Sequence, residues 1–257
     1  MPTWRLDIEY DGTRYGGWQQ QPHCRTVQGE IVKAAGTFLK EPFEIGGSGR
    51  TDAGVHAAGQ VAHLRVRSCQ LSPVEIEIHL NRVLPHDINI LRVRQAGEDF
   101  HARHSATLRY YLYQISTRRT AFGKPYVWWV KDRLDVKEMK RAASLILGMH
   151  NFQSFSEKTK ESTLVKVTAS EVATCGSLIL FRIAASHFLW KMVRRLMGSL
   201  VEVGRARLTV EEFAHMLVNY SNSPAAWTSP PSGLFLERVI YKNEPLPGKI
   251  LPIFPVY

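Results

Sequence analysis

The sequence predicts an α+β fold built as two similar halves, and three observations carry that reading. The stretch from Trp4 to Val93 runs strand, helix, strand, strand, helix, strand. That order is the split βαβ, ferredoxin-like unit, an antiparallel sheet with both helices on one face. The layout begins again at Arg109 without visible repetition of sequence, and three helix starts carry a Ser, Asp or Thr followed three residues on by Glu. The expectation is two ferredoxin-like halves with mainly antiparallel sheets, joined side by side with a cleft between them. The first domain takes residues 1–104 and the second 105–257. The junction near Arg103 to Thr107 lacks the Gly, Ser or Pro run of a flexible linker.

In chain order, Trp4, Leu6, Ile8 and Tyr10 alternate with Arg5, Asp7 and Glu9, the period of a half-buried strand. Asp11-Gly12-Thr13 turns the chain. Tyr15 to Gln21 is polar and aromatic together, either a surface loop with one anchoring Trp or a loop that stacks on bases. Val27, Ile31, Ala34, Ala35 and Phe38 keep helical spacing. Pro42 to Ile45 and Val61 to Val66 read as strands around a glycine-rich loop. Ser72-Pro73-Val74-Glu75 is a capping box with proline at the first helical position, and Ile76, Leu80 and Val83 face inward. Leu84-Pro85 stops that helix before a strand from Ile88 to Val93.

The connector Phe100-His101-Ala102-Arg103-His104 is basic and aromatic, a linker face or a nucleic-acid contact. Arg109, Tyr111 and Tyr113 alternate along the next strand, and Val127 to Val130 is a short one. Asp135-Val136-Lys137-Glu138 reads as a second capping box, and His150-Asn151-Phe152 ends its helix. Strands follow at Leu164 to Ala173 and Leu178 to Ala185. A helix from about Phe188 to Val203 has its apolar face interrupted by Lys191, Arg194 and Arg195. Arg195 reads as part of a solvated basic stripe. Thr209-Val210-Glu211-Glu212 is the third box, Pro224 to Pro231 a loop, and Leu234 to Tyr241 the last strand. The proline-rich tail, Pro245 to Tyr257, is expected to pack as an extended strap.

The totals narrow the class. A formal charge of +10 over 257 residues favours a polyanionic partner, nucleic acid or an acidic membrane surface. Cys24, Cys69 and Cys175 offer neither metal spacing nor a disulfide framework, which favours a reducing, cytoplasmic setting. No signal peptide and no membrane-length apolar run is expected. Motifs for zinc, for a serine-hydrolase elbow and for a dinucleotide cofactor are missing, so neither metal nor cofactor is expected.

The chemistry concentrates in Gly46-Gly47-Ser48-Gly49-Arg50-Thr51-Asp52-Ala53-Gly54-Val55-His56-Ala57. Glycines at this density let the backbone turn sharply and approach a ligand closely. Arg50 and His56 flank Asp52, and a carboxylate near a guanidinium stays ionised, as a nucleophile or general base requires. The plainer reading is a turn whose Asp closes an Asx motif. Tyr111, by composition alone, is a packing residue of its strand. Arg194 on an apolar helix face requires an anionic partner, for which Asp52 is the natural candidate.

Gly49 to Ala57 resembles the signature of the tRNA pseudouridine synthase A family. Tyr10-Asp11-Gly12-Thr13, Gly17-Trp18-Gln19, Thr26-Val27-Gln28, Asn81 with Leu84-Pro85, Phe100-His101-Ala102-Arg103, Arg109 with Tyr111 and Tyr113, and Phe188-Leu189 with Met192-Val193-Arg194 and Gly198 resemble its other motifs. The resemblance implies Asp52 as catalytic aspartate, Tyr111 as active-site tyrosine and Arg194 as the arginine paired with the aspartate. It implies Arg50 as an aid to base displacement, and Arg109, His56, Gln19, Phe100, His101 and Arg103 as RNA contacts. Uridine would be isomerised to pseudouridine at positions 38, 39 and 40 of the tRNA anticodon stem-loop, without a cofactor, by a homodimer whose two subunits share one tRNA. Tyr110, Leu112 and Trp190 depart from the usual pattern at positions of RNA grip or packing. The alternatives are a non-catalytic RNA-binding module on the same scaffold and a nucleotide hydrolase that uses Asp52 as nucleophile.

Overall fold

Alternating apolar residues make β1, Thr3–Tyr10, which pairs antiparallel with both β3, His56–Val66, and β4, Ile88–Ala96. β2, Phe43–Gly47, pairs antiparallel with the far half of β3, giving the order β4-β1-β3-β2. α1, Val27–Gly36, and α2, Pro73–Val83, pack against each other, α1 also touching β2 and α2 touching β4. Leu6, Ile8, Val27, Ile31, Leu64, Ile76 and Leu80 are fully buried and form the core here. Ser72 caps α2 through the reciprocal bonds its sequence predicts. The computed structural model describes residues 1–160 and 162–256. They form two compact units: Met1–Thr107 with Leu236–Pro245, and Leu108–Phe235 with the chain from Leu246 onward. The sequence reading draws a single boundary at 104/105; residues 236–245 instead fold with the first unit.

In the second unit β5, Ala106–Ser116, pairs antiparallel with β9, Leu178–Ala185, β9 with β8, Leu164–Cys175, and β8 with β7, Gly148–Asn151. β6, Trp128–Trp129, runs parallel to β5. α3, Val136–Ser144, packs on β8 and on α4, Met192–Gly204, while α5, Val210–Val218, packs on both helices. α6, Ser223–Ala226, is a single turn, and β10, Leu234–Tyr241, neighbours β3, its residues from Leu236 on belonging to the first unit. The protein is thus mixed α+β with mainly antiparallel strand pairing, β5 with β6 being a parallel pair.

Several sequence expectations are corrected. β7 is a strand where only a helix end is expected; its side chains are mostly exposed, so no buried alternation marks it. α4 starts at Met192 because Lys191 adopts a left-handed conformation, φ 62°, which breaks the helix there. Asp135 caps α3 through Lys137 and Glu138 N–H, but the box is not reciprocal. Glu138 pairs instead with Arg141 at 2.7 Å, and the Asp135 N–H goes to Gly204 O at 2.7 Å. Arg195 is no solvated residue: it is 6% exposed, with Nη2 2.8 Å from Glu157 and Nη1 donating to Ser156 O.

The tail packs as the expected strap. Buried Gln114 accepts from the N–H groups of Ile253, at 2.7 Å, and Phe254, at 3.2 Å. Its amide nitrogen donates to Tyr126 O and Phe254 O. Ile250 joins Leu112, Val127, Leu178 and Leu180 in a buried cluster, with Ile253 and Val256 packed on it. Tyr257, the last residue of the expected strap, lies outside the described residues.

Candidate active site

Residues 48–55 form the loop between β2 and β3, and Asp52 lies half-buried on it. Both ends are pinned. Ser48 N–H donates to Val61 O at 2.8 Å and its Oγ to Gln60 Oε1 at 2.7 Å, while Gln60 Nε2 donates to Gly49 O at 3.1 Å. On the other side Val55 N–H donates to Asp52 O at 3.1 Å, closing a tight turn. Gly54 supplies the φ of +77° that such a turn requires at its third residue.

A second segment, Tyr15 to Trp18, lies against the same loop. Trp18 N–H donates to Thr51 O at 3.1 Å, and Gly54 N–H to Tyr15 O at 3.2 Å. The approach is close enough to exclude side chains. A Cβ on Gly17, whose φ is +101°, would stand 2.5 Å from Thr51 O; one on Gly12 would stand 2.0 Å from Val55 O. The Trp18 ring, 1% exposed, fills the space beside Gly47, where a Cβ would meet it at 2.5 Å. Beneath the loop, Tyr10 Oη and Thr51 Oγ1 lie 2.8 Å apart, both buried. Burial pushes the Tyr10 phenol up to about 12, so it stays a neutral hydrogen-bonding partner. Asp52 is therefore presented on a backbone held from three sides, the preorganisation that a carboxylate acting on a reacting atom needs.

The other predicted residues of this unit fall into distinct settings. Gln19 Nε2 donates to Gln28 Oε1 at 2.8 Å, and Gln28 in turn donates to Ile45 O at 2.7 Å, tying loop, helix and strand together. Arg50 is exposed, and no ion pair joins it to Asp52 among the described residues. His56 is 1% exposed, at the start of β3. Its Nδ1 lies 3.1 Å from both Gly12 N and Asp11 Oδ1. With the ring proton on Nε2, Nδ1 accepts from the fixed Gly12 N–H; with the proton on Nδ1, it donates to Asp11. Either way His56 fastens the turn after β1 to the end of the loop. Phe100 packs on Tyr241 with centroids 5.2 Å apart, and Arg103 is exposed beside His101.

In the second unit Tyr111 is buried on β5 opposite Ile183, its ring edge-on to Phe188 at 5.0 Å. Arg109 is buried, with Nη1 donating to Ser186 O at 2.5 Å. Arg194 lies on the first turn of α4; its Nε donates to Ser229 O at 2.8 Å, and Ser229 N–H returns to Arg194 O at 3.1 Å. Gly198, one turn along, touches Trp227 O so closely that a Cβ would stand 1.6 Å from it. The helix is thereby locked to the 227–230 segment, and Tyr113 Oη donates to Pro230 O at 2.7 Å in the same place.

The sequence marks Tyr10, Gly12, Gly17 and Trp18 as motif residues without the contacts they make, and it does not single out Gln60 at all. Tyr10 reads as a strand residue that alternates with its neighbours, and the partners of Tyr10 and Gln60, Thr51 and Ser48, lie far enough along the chain that no local pattern shows them. The signal available was the Gly-Gly-Trp run itself, since two glycines before a tryptophan mark a backbone brought close to something.

The first unit thus holds a carboxylate on a doubly docked glycine loop, in a strongly basic α+β protein. Comparison with known proteins narrows the class. The family model for tRNA pseudouridine synthase matches residues 8–105 and 142–242. The tRNA pseudouridine synthase A of Hyphomonas neptunium is 41% identical over 247 residues, 94% of this chain and 99% of that protein. The like-named proteins of Chlorobaculum tepidum and Moorella thermoacetica are 41% and 40% identical, covering 93% and 94% of this chain and 98% and 100% of their own length. The chain belongs to the tRNA pseudouridine synthase family.

Proposed function

We propose that this protein isomerises uridine to pseudouridine in tRNA, with Asp52 as the catalytic carboxylate. The observation that carries the reading is the Asp52 loop, fixed from three sides by Gln60, by Trp18 with Tyr15, and by Tyr10. In the reaction the N1–C1′ bond breaks, the uracil turns while held, and C5 bonds to C1′. The C5 proton is lost and N1 gains one, so nothing is oxidised and no cofactor is consumed. A fixed carboxylate suits this chemistry by attacking C1′ or uracil C6, or by helping to remove a proton.

The finer reading extends the same proposal. The target nucleotides are positions 38, 39 and 40 of the anticodon stem-loop. Tyr111 stacks on the extruded uracil and Arg194 pairs with Asp52, which requires the two halves, each a ferredoxin-like unit, to face one cleft. Arg50 helps displace the base, an exposed side chain free to reach the RNA. Gln19, Phe100, His101, Arg103 and Arg109 shape the RNA-binding surface, and His56 acts through the loop it fastens. The protein works in the cytoplasm as a homodimer whose subunits share one tRNA. The charge of +10 supplies sequence-independent attraction to the phosphates, and no helix among the described residues is long and apolar enough to cross a membrane. Extruding the base costs a few kcal/mol, offset by contacts to its faces. The test is tritium release from uracil-labelled tRNA. Wild type releases label and Asp52→Asn releases none; full turnover in the variant ends the proposal.

A further inference from the structure

Away from the Asp52 loop, the first unit brings three histidines together, His63, His101 and His104. The rings of His63 and His101 stand 4.5 Å apart, those of His101 and His104 4.3 Å. Three consecutive backbone amides end on two of these rings. His63 Nδ1 accepts the N–H of Ala102 at 3.2 Å. His101 Nδ1 accepts those of Arg103, at 3.1 Å, and His104, at 3.3 Å. The turn closes with His101 N–H on Ser105 Oγ and Ser105 N–H on His101 O. From β10, Tyr241 Oη donates to Ala102 O at 2.7 Å.

A ring nitrogen accepts only while it carries no proton. Protonating either imidazole sets a donor against a fixed donor and undoes the amide bonds. The charged groups facing the pair are Glu44 on β2, 3.6 Å from His63 Nε2, Arg65 on β3, which donates to Phe100 O, and His104 and Arg103 of the turn itself. Burial, the neighbouring imidazoles and Arg65 push the pKa of His63 and His101 down, and Glu44 opposes them. The His63 ring also needs the glycine beside it, since a Cβ on Gly46 would stand 2.4 Å from its Cε1.

We propose that His63 and His101 are positioning residues for tRNA binding: as neutral imidazoles they latch the 101–105 turn that presents Arg103 and His104, and protonation releases it. The inference rests on the tRNA-modifying function proposed above. It predicts a sign opposite to simple electrostatics, because added positive charge alone would tighten binding to phosphate.

Two measurements on the full-length protein test it. The first is KM for unmodified tRNA from about pH 8 down to about pH 5, with the change expected at the acid end because both imidazoles titrate below the ordinary histidine value. Wild-type KM rises roughly ten-fold towards the acid end, as expected for losing hydrogen bonds worth about one pK unit. His101→Asn offers a side-chain oxygen to the same amides and does not titrate, so whatever its KM at neutral pH, the acid rise relative to that value is flattened. His101→Leu raises KM at every pH without a matching fall in kcat. The second is the amide protection factor of Arg103 and His104 without RNA, which falls as the pH is lowered in wild type and not in His101→Asn, while that of Ala102, held by His63, falls in both. An unflattened acid rise in His101→Asn, pH-independent protection, or lost protection with steady KM overturns the proposal. If wild type makes no pseudouridine at neutral pH, the functional reading fails by itself and the exchange data decide the latch.

Discussion

Gly17→Ala isolates the docking of the Asp52 loop, because the substitution touches no reacting group. Its Cβ would lie 2.5 Å from Thr51 O, where ordinary contact begins at 3.4 Å. Thr51 and Asp52 must therefore retreat on the order of 1 Å, the shortfall between those distances, and a displacement of that size at a reacting group costs about 100-fold in rate. Holding a non-glycine residue at φ +101° adds about 1–2 kcal/mol of strain. Weakening the Trp18 to Thr51 hydrogen bond adds about 1 kcal/mol. We expect Gly17→Ala to fold, to lose about 2–3 kcal/mol of first-unit stability, and to lose roughly 100-fold in kcat/KM. Tritium release and denaturant unfolding followed at Trp18 measure the two. Turnover within about two-fold of wild type would refute the argument that the loop is held by this contact.

Two further outcomes follow from the second unit. Hydrogen bonding from Lys191, reinforced by the charge of Arg195, holds the Glu157 carboxyl below its ordinary range. A depressed acid stabilises above its unfolded pKa, and that contribution is lost as pH falls through the folded one. Melting temperature should therefore drop below about pH 4, less so in Glu157→Gln, which costs about 1–2 kcal/mol at neutral pH because Glu157 keeps 30% of its side chain exposed. Gln114→Ala removes the Gln114 side-chain bonds to the 253–254 backbone, leaving up to two half-buried amides without their acceptor at about 1 kcal/mol each. Limited proteolysis should then cut within residues 246–256 while the strands stay intact; resistance equal to wild type would contradict the strap.

How much was legible depended on the range of the interaction. Ser72 and Thr209 form full capping boxes because all partners lie within four residues. Asp135 shows the same local pattern, yet Gly204, far along the chain, takes its N–H and Arg141 takes Glu138. β2 and β3 run deeper into the glycine motif than alternation indicates, because pairing Gly46 with His63 and Tyr10 with Ala57 needs no apolar period. Arg195 looked solvated because its carboxylate partner, Glu157, lies on a distant loop. At the site, Asp52 stands out through its glycines, while the hold of Tyr10 on Thr51 and of Gln60 on Gly49 joins residues too far apart in the chain for a local pattern to show.

The central claim is that one loop-borne carboxylate isomerises uridine in tRNA. The most direct measurement is a nucleotide-resolution map of pseudouridine in unmodified tRNA after incubation with wild type or with Asp52→Asn. The account predicts new pseudouridine at positions 38, 39 and 40 with wild type and none with the variant, although the variant still binds the RNA. Equal maps from both proteins, or binding by wild type without product, would contradict it.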